Sequence, residues 1–118
     1  MAAANYTITI EQGSVFDLNL VYKDSNEVPI NLTGYSARMQ VRQKYSSPDP
    51  LLSLSTLDGS ITLGGALGTI HAKATASMTQ ALTIKQGVYD LELVPPSGAG
   101  DAFRLVEGIV IVTPEVTR

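Results

Sequence analysis

Two long apolar stretches joined by a turn lie between residues 87 and 113, and they constrain the fold more than any other part of the sequence. Within residues 89–93, apolar side chains alternate with two carboxylates, which predicts a strand with one apolar and one acidic side. Residues 95–100 are rich in proline and glycine, which is typical of a turn. Four consecutive β-branched residues, 109–112, predict a return strand covered on both faces. We therefore expect a β-hairpin at the centre of the core.

Shorter alternating stretches predict strands in the rest of the chain. Residues 6–10 and 16–22 are expected to pair antiparallel to each other. Residues 51–57 and the stretch that starts at Ile61 are expected to form a second hairpin, because an Asp-Gly pair lies between them. Eight or nine short strands at about ten-residue spacing predict an all-β fold, an antiparallel β-sandwich of the immunoglobulin-like or jelly-roll-like kind.

One window, residues 75–82, shows helical spacing. Met78, Ala81 and Leu82 recur at the spacing of one helix face, and Thr75 or Ser77 can act as the N-cap. About two turns are too short to be stable alone, so we expect this helix to pack against one end of the sandwich.

Composition indicates one globular domain over residues 1–118, with a flexible arm at 1–5 and a short tail at 114–118. The formal net charge is −3, and the eight lysines and arginines are scattered. This pattern argues against a nucleic-acid partner and against attraction to anionic membranes. The chain has no cysteine, signal-peptide pattern or long apolar run, so we expect synthesis in a reducing cytoplasm without secretion.

Few residues suggest chemistry. His71 has no acidic neighbour in the sequence and is expected to be an ordinary outward-facing strand residue. Asp90 and Glu92, about 7 Å apart on one strand face, are expected to keep that face solvated rather than to act as a hydrolytic pair. A calcium site that adds Asp101 lacks the dense acidic spacing of calcium loops. The glycines of residues 64–68 do not match a phosphate-binding loop. We expect no enzyme, no cofactor and no metal site.

Arginine and tyrosine side chains near the middle of the chain are the best candidates for partner recognition. Arg38 and Arg42 share one side of the predicted strand over residues 35–43, and Tyr45 follows in a loop at 44–50. Both residue types are favoured interface anchors, although a solvated sheet face is the alternative interpretation. Exposed strand edges and extended termini offer a second way to join neighbours. The full set of candidate partner-binding residues is Tyr6, Arg38, Arg42, Tyr45, Asp49, Val116 and Arg118.

Four segments, residues 10–13, 29–42, 87–93 and 112–118, resemble a family of small structural proteins of tailed bacteriophages. The chain is also similar, more loosely, to the N-terminal β-sandwich of baseplate upper proteins, which anchors receptor-binding parts to a phage tail. Those proteins continue into a fibre-binding region that is not seen here. The resemblance therefore implies a stand-alone adaptor or decoration subunit, held in a ring or lattice of copies by sheet edges and termini.

The resulting expectation is a non-enzymatic virion protein, made in the host cytoplasm, that docks in several copies on tail, baseplate or fibre proteins. A capsid decoration or head-to-tail joining protein is the first alternative. A carbohydrate-binding module is an alternative of another class, and it needs exposed aromatic side chains on one face. Phe16, Tyr22, Tyr89 and Phe103 are instead expected in the core.

Overall fold

A computed structural model of the protein describes residues 3–97 and 100–116. Within these residues the chain forms nine β-strands and one short α-helix, which confirms the all-β prediction. The strands are β1 (Ala4–Asn5), β2 (Ile8–Glu11), β3 (Phe16–Val21), β4 (Ser36–Arg42), β5 (Leu52–Ser55), β6 (Ile61–Leu63), β7 (Thr69–Ala74), β8 (Gln86–Val94) and β9 (Phe103–Thr113). The helix α1 (Ala76–Gln80) lies between β7 and β8, and a 3-10 turn (Gly65–Leu67) joins β6 to β7.

The strands form two sheets that stack face to face. In the large sheet, β9, β8, β4 and β5 are neighbours in that order, and β1 and β2 both lie along the free side of β9. The small sheet has the order β3, β7, β6. One cluster of buried apolar side chains from both sheets fills the space between them. The strands of the predicted β-sandwich pair antiparallel, except that β1 and β2 run parallel to β9.

The central hairpin was predicted correctly, but the burial of both faces of its second strand was not. The two strands β8 and β9 pair antiparallel, and every second side chain over residues 89–93 is buried in the core. On β9, Val110 is buried, whereas Ile109 and Ile111 are each 41% exposed. The prediction of a strand covered on both faces is therefore wrong. β-Branched side chains fit a pleated, half-exposed sheet face as well as a buried one, so their presence did not discriminate.

A β-bulge interrupts the pairing of the hairpin. Leu91 lies opposite Val106, whereas the next residue of β8, Glu92, lies opposite Arg104. Leu105 is thus an extra residue on β9. One inserted residue reverses which side chains face the core on either side of it, because the side-chain period in a strand is two.

Two turns carry the chain from one sheet to the other where hairpins were expected. Since β2 belongs to the large sheet and β3 to the small one, the predicted antiparallel pairing of residues 6–10 with 16–22 is wrong. Likewise, β5 pairs with β4 and β6 pairs with β7, so the turn at Asp58 is a crossing and not a hairpin. Leu54 and Ile61, on either side of that turn, enter the core from opposite sheets.

The N-terminal strands lie against β9 through a contact that only glycine permits. A Cβ atom on Gly108 would overlap the backbone of Tyr6. The Tyr89 hydroxyl donates to the carbonyl oxygen of Tyr6 at 2.6 Å. Burial raises the pKa of Tyr89 to about 12, so this donor keeps its proton at neutral pH. Ala4 and Asn5, which belong to the arm expected over residues 1–5, pair with β9, whereas Met1 and Ala2 lie outside the described residues.

The helix α1 begins where it was predicted, with Thr75 as its N-cap. The Thr75 side-chain oxygen accepts a hydrogen bond from the Met78 N–H at 3.3 Å. The buried residue of the helix is Thr79, whose hydroxyl oxygen accepts from the Gly13 N–H at 3.0 Å and lies 2.7 Å from the Ser14 carbonyl oxygen. The helix thereby fixes the turn that carries the chain from β2 to β3.

The neighbouring Gln12 links that same end of the sandwich to the tail after β9. Its side-chain amide donates to the Leu82 carbonyl at 2.9 Å, and its side-chain carbonyl accepts from the Glu115 N–H at 3.1 Å. Ala81, predicted on the apolar helix face, is exposed, whereas Leu82 is buried. The polar turn at residues 12–14 therefore joins the apolar residues in holding α1 against the end of the sandwich.

Substituting Gly108 by alanine should lower stability, because the new methyl group collides with the backbone of Tyr6. Over-packing of this kind costs about 1–3 kcal/mol, and urea unfolding should show it as a lower midpoint. In a chain that lacks residues 1–7, the same substitution should cost nothing, since the colliding backbone is gone. Equal losses in both backgrounds would contradict the proposed contact.

Replacing Thr79 by valine keeps the side-chain volume but removes the acceptor for the Gly13 N–H. A buried donor left without a partner costs about 1–3 kcal/mol, so the free energy of unfolding should fall by that amount. Thr83→Val is the matched control, because Thr83 is exposed. If both variants unfold at the same urea concentration, the Thr79 hydroxyl is not what fixes the turn.

Candidate functional site

The outward-facing side chains of β4, β8 and β9 form a mixed charged and apolar surface, here named the outer face. Strand alternation places them on the side of the large sheet opposite to the core. The outer face consists of Arg38, Gln40, Arg42, Val88, Asp90, Glu92, Arg104, Glu107, Ile109 and Ile111. A shallow depression of about 300 Å³ lies in its middle. The surface is open, so it suits contact with another macromolecule better than enclosure of a small molecule.

The acidic side chains of the outer face pair with its arginines. The Arg38 Nε atom lies 2.9 Å from a Glu92 carboxylate oxygen. Arg104 contacts Asp90 at 3.4 Å and Glu107 at 2.7 Å. With Arg42 included, three arginines face three carboxylates, so the formal charges of this surface cancel. Half-exposed pairs of this kind contribute at most about 1 kcal/mol each. Their main effect is to hold the side chains in defined positions.

The β-bulge brings Arg104 and Glu107 to the same surface. Residues three apart in a regular strand point to opposite sides, but the extra residue Leu105 restores them to one side. Our sequence reasoning missed both residues as members of this surface. The available signal was the consecutive apolar pair Leu105 and Val106 between two charged residues, which interrupts the alternation of a half-buried strand.

Arg42 ties the loop at residues 44–50 to β4. One guanidinium nitrogen donates to the Ser47 carbonyl at 2.8 Å, and another donates to the Gln40 side-chain oxygen at 2.9 Å. The loop therefore lies back over the sheet, and Tyr45 lines the depression while remaining 77% exposed. An exposed tyrosine at the rim of a sheet surface loses little entropy when a partner covers it, because its side chain has only two rotatable bonds that set its position.

An apolar margin borders the charged part of the outer face. Ile109 lies opposite Val88 on the neighbouring strand, and Val88 in turn lies opposite Arg42. Ile111 continues the margin one step further along β9. Exposed isoleucines next to arginine and tyrosine give this surface the composition of a protein interface, in which apolar contacts supply affinity and polar contacts supply register.

The negative charge of Asp90 is disfavoured on this surface. Partial burial raises the pKa of Asp90, and the nearby Glu92 and Glu107 raise it further. Arg104 acts in the opposite direction but does not reverse the shift. The charged form of Asp90 is therefore less stable in the folded protein than in the unfolded chain.

Three of the predicted partner-binding residues come together. Arg38, Arg42 and Tyr45 lie on or beside the outer face. The surface that they share is not cationic, because Arg38 pairs with Glu92 and three carboxylates lie on the same face. The grouping of these three residues nevertheless follows from β4 and the loop after it, as the alternation in the sequence predicted.

The remaining candidates lie elsewhere. Tyr6 is 54% exposed and lines a separate groove between β1 and β3. Asp49 is exposed in the loop after β4, and Val116 is 92% exposed beyond β9. Arg118 lies outside the described residues. The six candidates within the described residues thus do not form one site.

The aromatic side chains do not form a shared sugar-stacking surface in the described part of the chain. The two exposed tyrosines, Tyr6 and Tyr45, line different depressions. Tyr89 is buried, and the rings of Tyr22 and Phe103 lie 6.1 Å apart and pack against the core. The structure thus provides no specific support for the carbohydrate-binding alternative.

His71 has an acidic partner that the sequence did not reveal. Its Nε2 atom lies 2.8 Å from an Asp17 carboxylate oxygen on the adjacent strand. Both side chains are more than 40% exposed, on the outer side of the small sheet. The expectation of an outward-facing strand residue fits this position, although Asp17 contacts it across the β3–β7 pair.

Within residues 3–97 and 100–116, no three histidine, cysteine, aspartate or glutamate side chains are grouped so as to hold a metal ion. Asp101, which was weighed above as a calcium ligand beside Asp90 and Glu92, therefore belongs to no such group. In the same residues, no helix combines the length and the apolar character that crossing a membrane requires.

Comparison with known protein families finds no family model that matches this chain, and comparison with curated proteins finds no significant match. The case for a function therefore depends on the surface described above and on the sequence resemblance.

Substituting Asp90 by asparagine should stabilise the protein at pH 7. The pKa of Asp90 is higher in the folded protein than in the unfolded chain, so proton binding by Asp90 favours the folded state. This contribution is complete below pH 3.8, the ordinary pKa, and is lost as the pH rises through the raised pKa of the folded state. Asparagine carries no charge and avoids this loss. The advantage over the natural protein, measured by urea unfolding, should disappear at acidic pH.

Asp49→Asn is the matched control, since it removes the same charge from an exposed loop position. Its effect on stability should be small at both pH values. If Asp90→Asn destabilises the protein at pH 7, the ion pair with Arg104 outweighs the burial and the neighbouring carboxylates, and our assignment of the dominant effect is wrong.

Proposed function

We propose that this chain is a non-enzymatic structural protein of a tailed bacteriophage, an adaptor of the tail or baseplate that docks in several copies onto tail or fibre proteins. It is made in the host cytoplasm and becomes part of the virion. The observation that carries the docking role is the outer face, where ordered arginines and exposed isoleucines lie on one sheet and the exposed Tyr45 lies in the loop beside it. The assignment to a tailed phage is supported by the resemblance of residues 29–42 and 87–93 to phage structural proteins, and the looser similarity to baseplate upper proteins favours the tail.

The outer face has the features expected of a preorganised docking surface. Its arginines are held by Glu92, Glu107 and the loop after β4, so few rotamers are lost when a partner binds. Tyr45 stands at the rim of the depression, and Ile109 and Ile111 provide apolar area beside it. Arginine and tyrosine are the residue types on which binding energy most often concentrates.

Charge cancellation on the outer face bears on the kind of partner. A surface with equal numbers of arginines and carboxylates does not attract a strongly charged partner over long range. It instead favours a partner whose charged groups each lie opposite a group of opposite charge on the outer face. A cationic group of the partner placed near Asp90 would also relieve the unfavourable charge of that carboxylate. The partner we propose is therefore a folded virion protein with a mixed polar and apolar surface.

Truncating Tyr45 should weaken docking without affecting the fold. In Tyr45→Ala, loss of an interface anchor is expected to cost about 1.4 kcal/mol or more, a roughly tenfold weaker association that lowers the copy number in particles. Thermal unfolding should be unchanged, because the side chain is exposed. Leu57→Ala is the matched control, since Leu57 is 96% exposed at the crossing between β5 and β6, away from the outer face.

The virion assignment is tested with a gold-labelled antibody on particles of the phage whose genome encodes this sequence. Label at the tail tip or along the tail is the expected result. Label over the head would replace the adaptor proposal with a decoration or head-to-tail joining role. Particles that carry no label, although the same cells contain the protein, would overturn both virion roles.

A further inference from the structure

The small sheet ends in an unusually unprotected edge strand, β3. At the other edges of the two sheets, β1, β2, β5 and β6 are two to four residues long. In contrast, β3 has six residues and contains neither proline nor lysine. Proteins usually block free edges with short strands, proline, lysine or bulges. The long, regular edge of β3 is therefore the best template for strand addition in the described part of the chain.

The free backbone groups of β3 belong to every second residue. Just after β3, the Tyr22 N–H donates to the carbonyl of Gly68, the residue before β7. In an antiparallel ladder, every second residue of a strand hydrogen-bonds to the same neighbouring strand. The even-numbered residues of β3 thus bond to β7. The N–H and C=O groups of Asp17, Asn19 and Val21 point away from it, and they have no hydrogen-bond partner within the residues that the structure describes.

A second copy of β3, antiparallel to the first, satisfies all of these groups in one register. With Asn19 opposite Asn19 of the other copy, Asp17 lies opposite Val21, and all three are hydrogen-bonded pairs. Apolar side chains also match, because Leu18 of one copy then faces Leu20 of the other on the core side. No like charges oppose each other in this register, and Asp17 already contacts His71 of its own copy.

An apolar groove along the same side of the sandwich favours a second copy over an isolated peptide. The groove, about 370 Å³, runs between β3 and the β1–β9 pair. Its apolar lining includes Leu18, Leu20, Leu105 and Val106. A two-fold axis beside β3 brings the grooves of two copies together, so that each covers the other. A single added strand would satisfy the edge but would not bring a second apolar groove to cover this one.

We infer that this protein forms a two-fold symmetric dimer through β3, in which the small sheets of two copies join into one six-stranded sheet centred on the Asn19 pair. The inference deepens the proposed docking in several copies, but it does not depend on the virion assignment. Purified protein tests the dimer and labelled particles test the virion role, so each can fail while the other stands.

Sedimentation velocity of the purified chain is the first test. Between about 1 and 300 µM, the mass should rise from the 12.5 kDa of one chain to twice that value. Asn19→Pro removes an N–H that points away from β7, so the edge strand should tolerate it in the monomer. The dimer should dissociate at least about tenfold more readily, since two inter-copy hydrogen bonds are lost. Asn19→Ala keeps the N–H and should dimerise like the natural protein.

A disulfide test fixes the register and does not depend on the proline variant being folded. The chain has no cysteine, and Asn19→Cys would place two thiols opposite each other at a Cα separation of about 5.5 Å, which a disulfide can span. Thr62→Cys is the matched control. On β7, His71 lies opposite Asn19 of β3 on one side and opposite Thr62 of β6 on the other. In the dimer, the two β6 strands are the outermost of six strands. Five strand spacings of about 4.8 Å, or about 24 Å, would therefore separate the two Thr62 positions.

Efficient cross-linking of Asn19→Cys, with none for Thr62→Cys, is the expected result. The inference is overturned if the protein stays monomeric over the whole concentration range. It is also overturned if folded Asn19→Pro, checked by circular dichroism, dimerises as well as Asn19→Ala. Equal cross-linking of the two cysteine variants would show collision between copies rather than pairing of β3.

Discussion

The pairing of β8 with β9 is the interaction on which the other elements depend. These are the two longest strands, and β9 also carries β1 and β2 along its other side. Their inward side chains, among them Leu91, Leu93 and Val110, are fully buried. Burial of each such side chain stabilises the fold by about 1.5–3 kcal/mol. Without this pair, the large sheet would lose both its centre and the strand that holds the N-terminal segment.

One irregularity in this pair links the core to the outer face. The bulge at Leu105 keeps Phe103 and Val106 on the core side although they are three residues apart. The same insertion places Arg104 and Glu107 together on the outer side. The arrangement of charges on the proposed docking surface is thus a consequence of how β9 fits against β8, and a regular strand would have buried one of the two groups.

The two lateral sides of the sandwich differ in how completely the strand edges are covered, and this difference affects how copies can assemble. The chain crosses between the two sheets on both sides, from β5 to β6 on one side and from β2 to β3 on the other. On the other side β1 and β3 are separated by the apolar groove, and β3 presents unpaired backbone groups. A chain that docks by its outer face and pairs by its β3 edge would have two independent surfaces for building larger assemblies.

The sequence by itself determined the strands β2 to β9, a helix start at Thr75 or Ser77 and the buried face of β8, because alternation, capping and turn residues act over a few neighbouring positions. It also identified Arg38, Arg42 and Tyr45 as neighbours. Only the tertiary structure decided that the turns after β2 and β5 cross between sheets, since the same turn residues serve a hairpin or a crossing. It also decided that Arg104 and Glu107 join the outer face and that Asp17 meets His71. Those contacts depend on register between strands distant in sequence, and register is set by how the whole core packs rather than by any local pattern.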